Sequence, residues 1–498
     1  MAGPRGAGTP YSDRVPSESD SQSSRPDAPV PPVGGGTSPG AHDQAVPEAY
    51  AAFMRQGWGE RELDLPRQPV ADWSAARRDR LAEVFPGERL VVPAGGFRVR
   101  ANDTDYRFRA DTAHVHLCGN QTSDAVLVLE GGEAVLYALP RSSRDTDEFF
   151  RDRRYGELWV GRRPSLGEIS GALGLEVRHL QELPARLDGP TKTRVLRGVD
   201  PTVDERVPGD EGRDEELARV LSELRLVKDT WELEQLQEAC DITTLGFADS
   251  VREWDDVLRY GERWLEGTFF RRARAMGNDL GYDSIVANGA HATTLHWTDN
   301  TGPVEPGRLL LLDMGVEARS LYTADVTRTL PVDGTFTPLQ RDLYTLVLTA
   351  QQAGIDAVRP GAAFLDPHDA AMRVLAQGLD DLGLLPVGVE ESLSPDSKVH
   401  TRWTLHSVSH MLGLDVHDCA AAAPDAYKLG SLAEGMVLTV EPGLYFQEDD
   451  LLVPEELRGI GIRIEDDLVV TADGSANLSA ALPREPDAVE AWMAGLRA

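Results

Sequence analysis

The sequence predicts a mixed α/β (α+β) fold in two successive parts, on three observations. Short apolar runs at 125–129 and 133–139 are joined around Gly131-Gly132, a strong two-residue hairpin signal. Apolar side chains recur at helical spacing over 231–251, where Leu236, Cys240, Thr244, Phe247 and Val251 fall near one face. Strand-like runs then dominate 309–330, 435–446 and 459–471. A length of 498 residues leaves room for two to three domains with substantial cores.

In chain order, residues 1–46 are rich in Gly, Pro and Ser, as in PPVGGGTSPG, and nearly free of aromatics. Such a segment buries too little apolar area to offset its ordering entropy, so a disordered tail is expected. From Pro47 the composition becomes globular, with helices predicted over 48–58 and 74–85. An α/β pattern fills 90–206; beyond the glycine hairpin, 165–175 reads as a helix and 177–180 as a strand. No Gly-rich phosphate loop follows any of these strands, so a dinucleotide fold has no support. The charged run VPGDEGRDEE at 207–216 is the expected boundary between an N-terminal domain (47–215) and a second domain (216–484). Residues 485–498 read as a short helix and tail.

A formal net charge of −32 argues against nucleic-acid partners and against an anionic membrane surface. The three cysteines, Cys118, Cys240 and Cys419, are too few and scattered for a disulfide framework or a thiolate zinc site. No stretch of eighteen uncharged apolar residues is present, and Arg5 is not followed by an apolar segment. The expectation is a cytoplasmic protein.

Chemistry concentrates in the second part. The stretch LLLLDMGVEARSLYTADVTRTL (309–330) carries Asp313 at the end of four leucines and Asp325 in a Thr-rich run. A carboxylate in such a context must be paired, hydrogen-bonded or metal-bound, and two of them can face one another across a hairpin. In LHSVSHMLGLDVHD (405–418), His406 and His410 stand four apart, on one side if the piece is helical. GMVLTVEPGLYF (435–446) alternates as a strand with Val437, Thr439 and Glu441 on one face, and Pro442-Gly443 ends it. GIGIRIEDDLVVT (459–471) places Gly461, Arg463 and Glu465 opposite Ile460, Ile462 and Ile464. Taken singly, the histidines read as ordinary core or surface residues, and Glu465-Asp466-Asp467 as the start of a solvated turn. Together, four carboxylates and an imidazole form a hard, oxygen-rich donor set. Two divalent cations would neutralise four carboxylates where one would leave a buried excess charge, so a dinuclear site is expected.

The motifs DMG, TADVTRTL, HSVSHMLGLDVHD, LTVEPGLYF and GIGIRIEDD resemble the metal-site signature of the pita-bread metallopeptidases, and within them aminopeptidase P, the Xaa-Pro aminopeptidases. The resemblance is close over 215–480 and weaker over 88–200, through NDTDYRFRAD and GELWVGRRPSLGE. It implies a C-terminal pita-bread catalytic domain behind a creatinase/prolidase-like N-terminal α/β domain that serves oligomerisation and covers the active site. It implies metal ligands at Asp313, Asp325, His410, Glu441 and Glu465, with Asp325 and Glu465 bridging two divalent ions. Mn²⁺ is favoured; Co²⁺, Fe²⁺ or Zn²⁺ fit the same donors. It implies a bridging hydroxide that attacks the bond before a penultimate proline in peptide substrates, with Glu441 moving the proton. His296, His406 and His417 would contact substrate, Arg463 would brace the ligands, and Trp159 would close a neighbouring subunit's site in a homodimer or tetramer. The Asp313–Asp325 interval is one residue longer than the family's usual spacing, and Ser407 stands where glycine is common. No substrate contact is carried over from the divergent 421–435 loop. The rival readings are a prolidase confined to Xaa-Pro dipeptides, and a non-catalytic pita-bread module that binds peptides or proteins.

Overall fold

The computed structural model describes residues 46–59 and 62–498. The tail expected over 1–46 thus lies, but for its last residue, outside the described residues.

Residues 70–195 build a five-stranded sheet in the order Glu176–His179, Glu133–Ala138, Val126–Glu130, Arg89–Pro93, Thr193–Val195. The Gly131-Gly132 hairpin forms as expected: both glycines take positive φ, and Glu130 pairs with Glu133. Alternation of side chains splits this sheet's apolar residues between two cores. Leu90, Val92, Leu127, Leu129 and Leu136 face one, and Val91, Val126, Val128, Val135 and Tyr137 the other. Helices Val70–Val84 and Thr112–Cys118 contribute Leu81 and Leu117 to the first of these cores.

Helix Thr112–Cys118 carries a histidine with both ring nitrogens committed. His114 Nδ1–H donates to the Val92 carbonyl at 2.8 Å, and Nε2 accepts from Asn120 Nδ2 at 3.1 Å. That is the neutral tautomer. Burial pushes His114 down to about 4 from 6.5, and pushes His116 well below the same value. The folded chain therefore binds fewer protons than the unfolded chain between these values. The stabilisation is complete above pH 6.5 and is lost as pH falls towards 4, by about 3 kcal/mol for His114 alone. Urea unfolding between pH 7 and 4 should show this slope, and His114→Gln should flatten it. An unchanged slope in that variant would remove His114 as the cause.

The run 207–216 is not a loop throughout: Asp210 caps a helix at Glu211–Glu223 by accepting from the Arg213 amide. The helix expected at 231–251 forms as Thr230–Arg252, its start fixed by a capping box between Asp229 and Glu232. Helices Glu262–Met276, Pro338–Ala357 and Asp366–Asp381 follow, and a last helix spans Pro486–Arg497. A three-stranded sheet runs Thr327–Pro331, Leu309–Asp313, Ile285–Asn288, and a second Val437–Val440, Asp466–Val470, Ser475–Asn477.

The condition that would put His406 and His410 on one side of a helix is not met, because the 405–418 piece is not helical. Its backbone is used by the neighbouring strand, with the Thr439, Glu441 and Leu412 amides donating to His410, Val408 and Val437 carbonyls. The strand expected to end at Pro442-Gly443 stops at Val440 and a new one starts at Gly443, while that expected over 459–471 is interrupted at 464–465, in one register. Val440 pairs with Asp466, and pairing resumes at Gly443 with Arg463. Glu441 and Glu465 therefore stand opposite each other at the gap, where Glu465 N–H donates to Thr327 O and Glu441 N–H to Val408 O.

Arg109, from the segment before helix Thr112–Cys118, ties the two parts together. Its Nε donates to Glu317 Oε2 at 2.5 Å and its Nη2 to the Leu414 carbonyl at 2.6 Å. Thr112 Oγ1 donates to Asp415 beside it.

Candidate metal centre and active site

One cavity of about 710 Å³ collects every site residue expected from the sequence except Trp159. Asp313, Asp325, His410, Glu441 and Glu465 line it together with His296, His406, His417 and Arg463. Trp159 lies elsewhere, 55% exposed on the short helix Glu157–Val160, its indole N–H donating to Phe150 O.

The geometry follows from strand register. Asp313 pairs with Thr327, so Asp325, two residues before it, shares Thr327's face and stands diagonal to Asp313. Between the aspartates the chain makes a tight turn at 318–322, closed by Ala318 N–H to Tyr322 O at 2.8 Å, with Leu321 at φ 70°. Asp325 is not displaced: its Oδ2 stands 3.3 Å from His410 Nε2. Gly315 allows the close approach, since a Cβ there would fall 1.7 Å from the Ala324 carbonyl oxygen.

Glu465, Asp466 and Asp467 are all buried, so the solvated-turn reading fails. The Glu465 Oε2 atom accepts from Thr327 Oγ1 at 2.6 Å. Asp466 is paired with the buried Arg328, and Asp467 Oδ2 accepts from the Asp325 amide at 3.0 Å. Arg463 Nη2 donates to Asp313 Oδ2 at 2.5 Å, and Nη1 to the Tyr445 hydroxyl at 3.0 Å. Tyr445 lies 2.7 Å from His406 Nε2, and His406 Nδ1–H donates to Ser407 O. Tyr282 donates to Asp313 Oδ1 at 2.6 Å.

Two like charges directly opposite on a ladder repel, and here two pairs of carboxylates converge. Burial, then Asp325, Glu441 and Asp313, push Glu465 well above the carboxylate range. Glu441 rises to about 7, through burial and the charges of Asp325 and Asp313, against the pull of His410 and Arg463. Burial lowers His410, but its hydrogen bond to Asp325 and the charge of Glu441 outweigh this and carry it to about 9. His406 is pushed down to about 4 by burial and by Arg463. With Nδ1 directed at the Met411 carbonyl, His410 Nε2 faces carboxylate oxygens of Asp325 and Glu441 at 3.3 and 3.6 Å. Ligand atoms of Asp325, His410 and Glu465 all lie within 4.8 Å of one another, and the donor set suits divalent ions.

Sequence reasoning missed Tyr282, Asp467 and the Tyr445 hydroxyl. Tyr445 was within reach, as it lies in LTVEPGLYF and Arg463 needs partners. Tyr282 and Asp467 carry no periodic signal. Tyr427 and Lys428, in the loop left unassigned, also line the cavity.

Comparison with known proteins agrees. Residues 234–472 match the model for metallopeptidase family M24, and 74–195 that for the aminopeptidase P N-terminal domain. The chain is 55% identical to Xaa-Pro aminopeptidase 2 of Streptomyces coelicolor, over 89% of this chain and 96% of that protein. It is 33% identical to the Xaa-Pro aminopeptidase of Escherichia coli, over 84% and 97%. Aminopeptidase P from E. coli with the inhibitor Pro-Leu superposes with a TM-score of 0.75 at 30% identity, covering 86% of this chain and 99% of that one. The Pseudomonas aeruginosa aminopeptidase PepP gives 0.76 at 29%, covering 87% and 100%. The expected pita-bread fold with its preceding α/β domain is thereby established. Likeness on this scale, along nearly the whole chain, makes it a member of the aminopeptidase P family of M24 metallopeptidases.

Proposed function

We propose that this chain is an Xaa-Pro aminopeptidase that releases the N-terminal residue from peptides with proline second. The observation that carries the reading is the convergence of four buried or half-buried carboxylates and His410 in one cavity with three further histidines. Asp313, Asp325, His410, Glu441 and Glu465 are assigned as ligands of two divalent ions, and the oxygen-rich set favours Mn²⁺. When bound, the ions supply a water nucleophile at neutral pH and polarise the scissile carbonyl.

The chain's own residues do the rest. Arg463 holds Asp313 and, through Tyr445, fixes His406 as a neutral ring. Glu441, exposed to the cavity, accepts a proton and passes it to the leaving imide nitrogen. His296, His406 and His417 line the cavity where the peptide lies and steady the developing charge.

We assign residues 47–215 to an N-terminal domain, 216–484 to the catalytic domain and 485–498 to a C-terminal extension. A homodimer or tetramer is proposed, with Trp159 covering a neighbour's site. In support, Trp159 is flanked by Leu158 and Val160, 49% and 51% exposed. A cytoplasmic setting is supported by three free, buried cysteines.

The test is hydrolysis of a Xaa-Pro-Xaa tripeptide beside the Xaa-Pro dipeptide, on metal-free protein titrated with Mn²⁺. Metal-dependent release of the first residue of the tripeptide is expected. Turnover of the dipeptide alone would make the chain a prolidase, and stoichiometric metal with neither reaction would mean the substrate is wrong.

A further inference from the structure

Behind the cavity wall lies a carboxylate that the reaction scheme leaves unused. Glu262, at the start of helix Glu262–Met276, is fully buried. Its two oxygens accept four hydrogen bonds, all from the segment 288–302. Oε1 takes the Asn288 amide and His291 Nδ1–H, each at 2.8 Å. Oε2 takes Trp297 Nε1–H at 3.0 Å and the Gly302 amide at 2.7 Å. The rings of His291 and Trp297 stack at 3.9 Å and 22°. The Glu262 amide returns to the Gly302 carbonyl, so the segment is fastened at both ends and in the middle.

His296 sits inside this fastened segment, next to Trp297. The indole of Trp297 turns inward to Glu262, while His296 is exposed and lines the cavity. The chain is held on the C-terminal side of His296 by the Trp297 anchor. We propose that Glu262 is a positioning residue for the aminopeptidase reaction, which holds His296 towards the substrate by gripping Trp297, His291 and the two ends of the segment. A carboxylate suits the role because it is acceptor-only, with room for four donors. An amide there would turn an N–H against two of them, leaving buried donors unpaired. The inference rests on the reading of His296 as a substrate contact.

The test is a double-mutant cycle in the full-length, Mn²⁺-loaded protein, with Glu262→Gln, Trp297→Phe and His296→Ala. Trp297→Phe keeps an aromatic ring against His291 and removes the indole N–H without touching Glu262, so it stays usable if Glu262→Gln does not fold. Glu262→Gln is expected to lower kcat/KM about 10- to 100-fold, mainly through kcat, with bound metal unchanged. Trp297→Phe should give a smaller loss in the same direction. In the His296→Ala background both changes should cost less than about twofold, because the group they position is gone. A purely structural role would instead give additive losses. Additive losses, or single variants with unaltered kcat/KM, would overturn the inference while His296→Ala remained impaired. Full activity of His296→Ala would take down the substrate reading and the inference with it.

Discussion

Asp325→Asn is expected to abolish peptidase turnover and metal uptake together. The loss in kcat/KM should exceed about 10³-fold, beyond the 10- to 100-fold typical of residues that only support a ligand. Asparagine matches aspartate in shape, and the Asp325 backbone amide keeps its bond to Asp467, so the fold should survive. What changes is charge at the centre of the site. Asp325 lies 3.3 Å from His410 Nε2 and acts on Glu441, Glu465 and Asp313 through its charge. Neutralising it removes an anion from the proposed ligand set and turns an amide N–H towards the place a cation would take. Metal per chain by mass spectrometry and tripeptide hydrolysis, measured on the same preparation, decide the matter. Normal turnover without stoichiometric metal would sink the assignment.

Gly315→Ala should have the largest effect on stability. Its Cβ would overlap the Ala324 carbonyl oxygen, at 1.7 Å, and would come 2.9 Å from the Tyr282 ring. Backbone cannot step aside as a flexible side chain can, so the hairpin must open. A loss of about 3 kcal/mol or more is expected, at the upper end of overpacking costs. Because Ala324 precedes Asp325 and Tyr282 holds Asp313, metal affinity should fall as well. Calorimetric titration with Mn²⁺ would show this alongside the thermal midpoint. Gly171→Ala, in helix Leu166–Leu173 with open space around it, is the control and should be neutral or stabilising. Equal behaviour of the two variants would show that the approach of Gly315 to Ala324 is not tight.

Much of this was legible in the sequence because the metal-site strands obey short-range rules. Asp313 closes an apolar strand, and Glu441 and Glu465 each follow an alternating run, so their faces could be read from a period of two. The glycine hairpin at 131–132 and the helix over 231–251 are likewise local. What could not be read depends on distant partners. Tyr282 reaches Asp313 across 31 residues, and Asp467 reaches the Asp325 amide across 142. The form of the 405–418 segment stayed open, because two histidines four apart share a side only if the piece is helical. The competing strand that takes up its backbone groups lies further along the chain. The in-register opposition of Glu441 and Glu465 needed the pairing itself, which no single strand contains.

The Arg109 clamp carries a consequence for how the enzyme comes into being. A chain is made from its N-terminus, and its early parts fold first. Arg109 therefore emerges long before its partners, Glu317 and the Leu414 carbonyl, which follow 208 and 305 residues later. Until they arrive, Arg109 has its neighbour Thr112 and water as partners. Contacts that span so much chain form late, because loop closure must come first. The tie between the two parts thus closes only after residue 414 has been made.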